Sequence, residues 1–349
     1  MARDPGELYE VEPDAPETDD IVLLYYLDGF IDAGGAGRLL ASHLLSTLDH
    51  QQVAAFDVDA LIDYRSRRPV MTFAKDHWES YDTPELAVFL LHDTAGVPFL
   101  LLNGPEPDHL WDGFTSAVRR LSSELGVRLS VSFHGIPMGV PHTRPLGVTA
   151  HATQPELTEG YRPLVDRLQV PGSAAGLLEL RLGEDDRAAL GFAVHVPHYL
   201  AQAAYPAAAV TLMESIQRAT GLLLPGDALR EAARRTDEEI ARQVEGSDEV
   251  AEVVQSLEEQ YDSFSADRDG LLGGDPDSMP TAEELGAEFE RFLAEQQGRT
   301  DPERENHLEC PRHPTSVFDY TGAVFTSLTT IRKPSSSYGG TRWLVILNR

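Results

Sequence analysis

An α/β architecture is expected for this chain: a mostly parallel sheet with flanking helices, plus a helical extension toward the C-terminus. Continuous apolar runs of strand length, led by "IVLLYYL" at 21–27, alternate with longer amphipathic stretches such as "PDHLWDGFTSAVRRLSSELG". Strands buried on both faces of a parallel sheet and joined by crossover helices produce that alternation. Beyond Asp227 the strand signals stop and an acidic helical pattern takes over.

The first twenty residues are acidic and proline-rich, and 1–20 reads as a disordered or loosely attached arm ahead of an α/β core at 21–226. With no apolar stretch, this opening is unlike a secretory signal. After the first strand, 33–48 places Leu39, Leu40, Leu44, Leu45 and Leu48 at helical spacing. "QVAAFDVDAL" reads as a second strand. "AVFLLHD" and "VPFLLLNG" read as a third and fourth, joined by the short turn "TAG" into a hairpin. The amphipathic helix that follows stops at Gly126, a residue suited to the left-handed position after a helix. "VRLSVSFHGI", "LLELRL" and "GFAVHVPHYL" are three further expected strands, and "PAAAVTLMESIQRATG" a further helix.

The acidic helical extension spans 227–299. Ile240 and Val244 form one apolar pair, Gly246-Ser247 interrupts, and Val250, Val254, Leu257, Tyr261 and Phe264 form a second stripe. The expectation is a helical hairpin packed on the sheet domain. A linker is placed at 265–280 by composition. A helix restarts at "TAEELGAEFERFLAEQ", where Thr281 and Glu284 form a capping box. Residues 300–349 are basic, Ser/Thr-rich and irregular, which suits an added strand pair or a non-native, read-through end equally.

With 28 Lys and Arg against 57 Asp and Glu, the net charge is −29. Such a surface repels phosphate polymers and anionic membranes, so neither nucleic acid nor membrane is expected as a partner. A basic protein surface is the complementary alternative. The single cysteine, Cys310, excludes an internal disulfide and a CxxC metal site, and no apolar run is long enough to span a bilayer. The cytoplasm is the default location.

"LDGFIDAGGAGRLL" at 27–40 follows the first strand and opens a helix, the usual place for a phosphate loop. Gly29 and Gly34 have P-loop spacing, but Gly35 and Ala36 stand where Lys and Ser/Thr should bind phosphate and magnesium. Gly34 and Gly37 supply part of a dinucleotide fingerprint, with Asp32 in place of its first glycine. A carboxylate at that point takes the helix N-terminal N–H groups that would otherwise hold phosphate. The glycines therefore read as a tight turn and a close helix–sheet contact.

Five residues are candidates for a pocket at the strand C-termini: Asp32, Arg68 in "DYRSRRP", His142 and Arg144 in "GVPHTRP", and His198 in "VPHYLAQ". Arg and His on rigid loops suit a carboxylate or a nucleoside, and the same side chains equally serve to lock loops. No nucleophile elbow, HExxH or His/Cys cluster occurs, so neither a catalytic residue, a cofactor nor a metal is assigned.

In this order, "DGFIDAGGAG", "LIDYRSRRP", "LLNGPEPDHLWDGFTSAVRRLSSELGV", "GVPHTRP", "VPHYLA" and "EVAEVVQSLEEQYD" resemble the proteasome assembly chaperone family, in its second-chaperone branch and actinobacterial form. The resemblance covers about 21–264, more weakly to 299. It implies a phosphorylase/hydrolase-like α/β domain with an added C-terminal helical part. It also implies a non-catalytic assembly protein, since the eukaryotic relatives order proteasome α-subunits. A homo-oligomer, a trimer among the candidates, is expected separately. Some relatives carry an ATP-grasp carboxylate–amine ligase label, for which this chain shows no lysine-bearing glycine loop. The hydrophobic–Tyr–any ending of some proteasome binders is replaced here by "LNR". A binding or assembly protein acting through protein contact is thus favoured, with a small-molecule binding protein or enzyme as the alternative.

Overall fold

The computed structural model describes residues 4–270 apart from 30, 162 and 164–166, with side chains as far as 263. The helix expected after residue 280 and the tail at 300–349 lie outside the described residues. In chain order the elements are β1 (Tyr9–Val11), β2 (Ile21–Asp28), α1 (Ala36–Thr47), β3 (His50–Phe56), α2 (Val58–Leu61), β4 (Met71–Ala74), β5 (His77–Tyr81), β6 (Ala87–His92) and β7 (Pro98–Pro105). Then follow α3 (Trp111–Glu124), β8 (Val127–Met138), β9 (Val148–Ala152), α4 (Ala174–Glu184), β10 (Ala189–Pro197), α5 (Pro206–Thr220), α6 (Asp227–Glu245) and α7 (Asp248–Gly270).

Eight strands form one sheet in the order β1-β3-β6-β7-β2-β8-β10-β9. The α/β architecture with flanking helices and a helical extension stands, but the sheet is mixed. Pairing is parallel across β7, β2, β8 and β10 and antiparallel everywhere else. β6 and β7 are joined by a short hairpin, whereas β3 reaches β6 through α2 and the β4–β5 hairpin, and β9 reaches β10 through α4.

β2 sits at the centre with both faces covered. Val22, Leu24 and Tyr26 point to a core shared with α1 and α5, while Ile21, Leu23 and Tyr25 point to a second core shared with α3 and α4. Two-sided burial explains why its sequence is continuously apolar instead of alternating. Each fully buried Leu or Phe in such a core contributes about 1.5–3 kcal/mol over its exposed state. α3 buries Phe114, Ala117, Val118 and Leu121, at the spacing of one helical face, and Gly126 follows it with φ 65°.

Several expectations are corrected. "QVAAFDVDAL" is a strand only as far as Phe56; Val58–Leu61 forms helix α2, capped by the Asp57 side chain accepting from the Ala60 amide. "LLELRL" belongs to helix α4, not to a strand. Its leucines fit period two and period four alike. The Ser173 side chain caps the helix by accepting from the Gly176 amide at 3.1 Å, and Ala174, Leu178 and Leu182 form the buried face. The lead-in is not a loose arm: β1 pairs with β3, Leu8 is wholly buried, and the Glu12 amide donates to the Val53 carbonyl at 2.8 Å. Between α2 and β6 the chain forms a separate two-stranded hairpin, β4–β5, for which the sequence reading had no element. Finally, α7 runs to Gly270, into the stretch expected as linker.

α6 lays Leu229 and Ile240 into the first core, and the chain breaks at Gly246-Ser247 before α7. Val254 and Leu257 are the buried pair of the expected α7 stripe. The side chain of Phe264 lies outside the described residues. Among the described residues no helix is long and apolar enough to cross a membrane.

Candidate functional site

The parallel strands β2, β7, β8 and β10 end at one edge of the sheet. Strand direction reverses its helix side near β2, because α1 and α3 lie on opposite faces. Open α/β sheets hold ligands at such a point. Four loops meet there, following β2, β7, β8 and β10.

Asp32 organises the loop after β2. Its Oδ1 accepts from the Gly37 amide at 2.8 Å and the Gly135 amide at 2.9 Å, and its Oδ2 from the Arg38 amide at 3.0 Å and the Tyr26 hydroxyl at 3.1 Å. One carboxylate thus holds the first turn of α1, strand β8 and the end of β2 together. The helix donors that would bind a phosphate are already used, as the sequence anticipates. The approach is tight: a Cβ on Gly135 would lie 2.2 Å from the Ala33 carbonyl oxygen. Gly34 and Gly35 take left-handed conformations, φ 68° and 57°, that let the chain turn into the helix. Gly34 also ties this loop to the one after β10, donating to the Ala201 carbonyl and accepting from the Tyr205 amide, each at 2.8 Å.

The loop after β8 carries His142 and Arg144. The Tyr199 hydroxyl accepts from the His142 amide at 2.9 Å and lies 2.7 Å from its Nδ1. One hydroxyl is thus shared by the backbone amide and the ring Nδ1 of His142. His198 stacks edge-on against Tyr199, with ring centroids 5.5 Å apart. Burial pushes His142 and His198 below the usual histidine range; Asp237 and Glu258 pull His142 back up, and a backbone bond at Met138 does so for His198. Burial likewise raises Tyr199 to about 12, helped by Glu258 and opposed by the His142 amide. Asp237 is held above the ordinary carboxylate range by burial, against the pull of His142.

Arg144 faces α7. Its Nε and Nη2 donate to the two carboxylate oxygens of Asp262, and its Nη1 lies 3.3 Å from Glu258. Thr143 also bonds Glu258, and the Tyr261 hydroxyl donates to the Pro145 carbonyl at 3.1 Å. Every one of these contacts fastens the loop to the helical extension.

The five expected residues therefore do not form one pocket. His142 and His198 meet around Tyr199, and Asp32 sits at the adjoining turn. Arg144 is taken up by α7, the loop-locking role open to it from sequence. Arg68 is exposed and, among the described residues, shares no hydrogen bond or ion pair with the other four. Its neighbour Arg67 does the local work, donating to Asp108 at 2.9 Å and the Asp28 carbonyl at 3.1 Å.

Several residues at this edge of the sheet were not singled out from sequence: Glu258, Asp262 and Asp237 around the loop after β8, and, apart from them, Glu106 just past the end of β7. Glu106 accepts from the Ala174 amide at 2.6 Å, and burial raises it, against the Ala174 bond and Arg67. The spacing of Glu258 and Asp262, one helical turn apart, is visible in the sequence; the arginine they face is not. Among the described residues no group of three or more side chains could ligate a metal. An open groove of about 520 Å³ lies elsewhere, between α5 and α6, bordered by Asp237 but by none of the five candidates.

Comparison with curated proteins finds no match. Among solved structures, the chain is similar to Rv2714 of Mycobacterium tuberculosis, described as of unknown function, with 46% identity and a TM-score of 0.74 over 83% of this chain and 96% of that one. A Corynebacterium glutamicum protein of unknown function is 40% identical, with a TM-score of 0.71 over 73% of this chain and 97% of that one. The M. tuberculosis proteasome-assembly chaperone homologue Rv2125 shares the fold at 23% identity, with a TM-score of 0.62 over 67% of this chain and all of that one (100%). The PAC2 family model matches residues 26–244, from the end of β2 into α6. The resemblance read from the sequence motifs is thereby borne out: the chain belongs to the PAC2 family.

Proposed function

We propose that the chain is a non-catalytic binding and assembly protein that acts by protein–protein contact. The observation that carries this reading is the closure of the strand C-terminal edge by the chain's own side chains. Asp32 takes the donors at the α1 N-terminus, and α7 takes Arg144. The α1 N-terminal amides and Arg144, which would grip a small anion at this edge, are already partnered, which favours contact by surface over capture in a pocket. The description of the fold relative Rv2125 as a proteasome-assembly chaperone homologue supports a proteasome subunit as the foreign partner. The same reading includes a homo-oligomer working in the cytoplasm.

The test is biolayer interferometry with immobilised chain against purified cognate proteasome α-subunits, alongside a thermal-shift panel of magnesium-ATP, nucleosides, phosphate and amino acids. Saturable α-subunit binding with no ligand shift is expected. A ligand near 100 times its Kd stabilises a fold by about 2.7 kcal/mol. A shift of that size, abolished in Arg144→Ala, would overturn the proposal in favour of a small-molecule site.

A further inference from the structure

Beneath α4 a row of polar residues crosses the sheet. The register sets Tyr25 of β2 opposite Ser132 of β8, Ser132 opposite Gly191 of β10, and Gly191 opposite His151 of β9. Residues opposite one another share a face, and Tyr25 points to the core that α4 covers. Gly191 leaves room in this row. A Cβ there would lie 2.0 Å from His151 Cε1 and 2.5 Å from its Nε2, so the imidazole lies over β10 at the glycine. Glu179 reaches down from α4, with its Oε1 2.8 Å from His151 Nδ1.

Two buried polar atoms remain here. The Tyr25 hydroxyl, on a residue only 1% exposed, and Oε2 of Glu179 make no hydrogen bond among the described residues. The two are near each other. Burial, reinforced by the Glu179 charge, pushes the Tyr25 hydroxyl far above the usual tyrosine range, and the Ser132 side chain opposes both. The hydroxyl therefore keeps its proton and can donate it, while the carboxylate oxygen accepts. Native interiors satisfy such groups with protein or with ordered water, and a buried water needs two to four polar partners. An anion would meet the Glu179 carboxylate. Among the described residues no set of three side chains could ligate a metal. Water suits both atoms, because it accepts from one and donates to the other.

We infer that one internal water molecule sits beneath α4, accepting from the Tyr25 hydroxyl and donating to Glu179 Oε2, with Ser132 as its third partner. It completes a chain from Tyr25 through water and Glu179 to His151, and so joins the central strand β2 to α4 and to the edge strand β9. This site goes beyond the proposed protein contact and is independent of which partner the chain binds.

The experiment is a high-resolution crystal structure of the full wild-type chain, paired with water-oxygen magnetic relaxation dispersion in solution, which counts long-lived internal waters. A single-atom density peak is expected at about 2.7–3.0 Å from both Tyr25 Oη and Glu179 Oε2. The Tyr25→Phe/Glu179→Leu double variant keeps only Ser132, fewer partners than a buried water needs. Its dispersion amplitude should therefore fall by one water relative to wild type. A direct bond between Tyr25 and Glu179, no density between them, or density too large for one oxygen atom would each overturn the inference. So would a folded double variant with the wild-type amplitude. The density is read on wild type, so the inference is decided even where the double variant fails to fold.

Discussion

Asp262 holds Arg144 through two parallel N–H···O bonds, Nε to Oδ1 at 2.8 Å and Nη2 to Oδ2 at 2.6 Å, across 118 residues of chain. With the Thr143–Glu258 and Tyr261–Pro145 bonds, this pair fastens α7 to the loop after β8. Little apolar surface does so, since Val254 and Leu257 are its buried side chains.

Arg144→Ala is therefore expected to loosen α7 without unfolding the core. Both side chains are substantially exposed, so the effect on global stability is small. Hydrogen exchange is the sensitive readout: amides of α7 should exchange faster while those of β2 and β8 keep their protection. The hydrogen bond from Arg144 also holds the Asp262 carboxyl below its ordinary range. The clamp is thus fully present above the usual aspartate pKa and is lost as pH falls through the lowered one. Protection of α7 that vanished already at pH 5 would refute this account.

Asp32 is expected to matter to the whole fold. Four donors converge on its carboxylate, two from α1, one from β8 and one from Tyr26. Asp32→Ala leaves them without a partner in a part-buried turn, a loss of about 2–3 kcal/mol. Asp32→Asn keeps one accepting oxygen and should fall between the two. Urea midpoints at neutral pH give the order; an alanine variant as stable as wild type would show that the turn is held by other means.

His134 gives the second core an acid sensitivity. Burial, with a smaller contribution from neighbouring His151, holds it down to about 4. The folded state keeps the ring neutral while the unfolded state takes up a proton below the ordinary value near 6.5. Stability is then complete above that value and declines as pH falls toward 4, by roughly 3 kcal/mol in all. His151 has the opposite sign: burial disfavours its charge, but the bond at 2.8 Å to Glu179 and the charge there outweigh it and raise the group. His134→Gln should flatten the fall in urea midpoint between pH 6.5 and 4.5. An unchanged slope would assign the acid sensitivity to another group.

Much of the fold was legible. "IVLLYYL" reads as a buried central strand because both its faces are apolar, and Phe114, Val118 and Leu121 read as one helix face because their spacing admits no other packing. The α4 segment was misread because Leu178, Leu180 and Leu182 satisfy both periods. Only the Ser173 cap and the solvent exposure of Leu180, 59%, separate them. β1 escaped notice because three residues carry no periodic signal, and its pairing with β3 is set by a buried Leu8 that local sequence does not mark.

The site divides along the same line. Asp32 was readable as the group that occupies the α1 N-terminus, since a carboxylate three or four residues ahead of a helix satisfies donors next to it in the chain. The partners of Arg144 and His142 were not, because Asp262 and Tyr199 come from elements 118 and 57 residues away. Local hydrogen-bonding and hydrophobic period are written in adjacent residues, so the chain alone marks its central strands, its longer amphipathic helices and the blocked phosphate turn. Which loop meets which helix depends on the order in which strands enter the sheet, and that order is settled by packing two faces at once. Tertiary structure alone converted a set of possible pocket residues into a clamp.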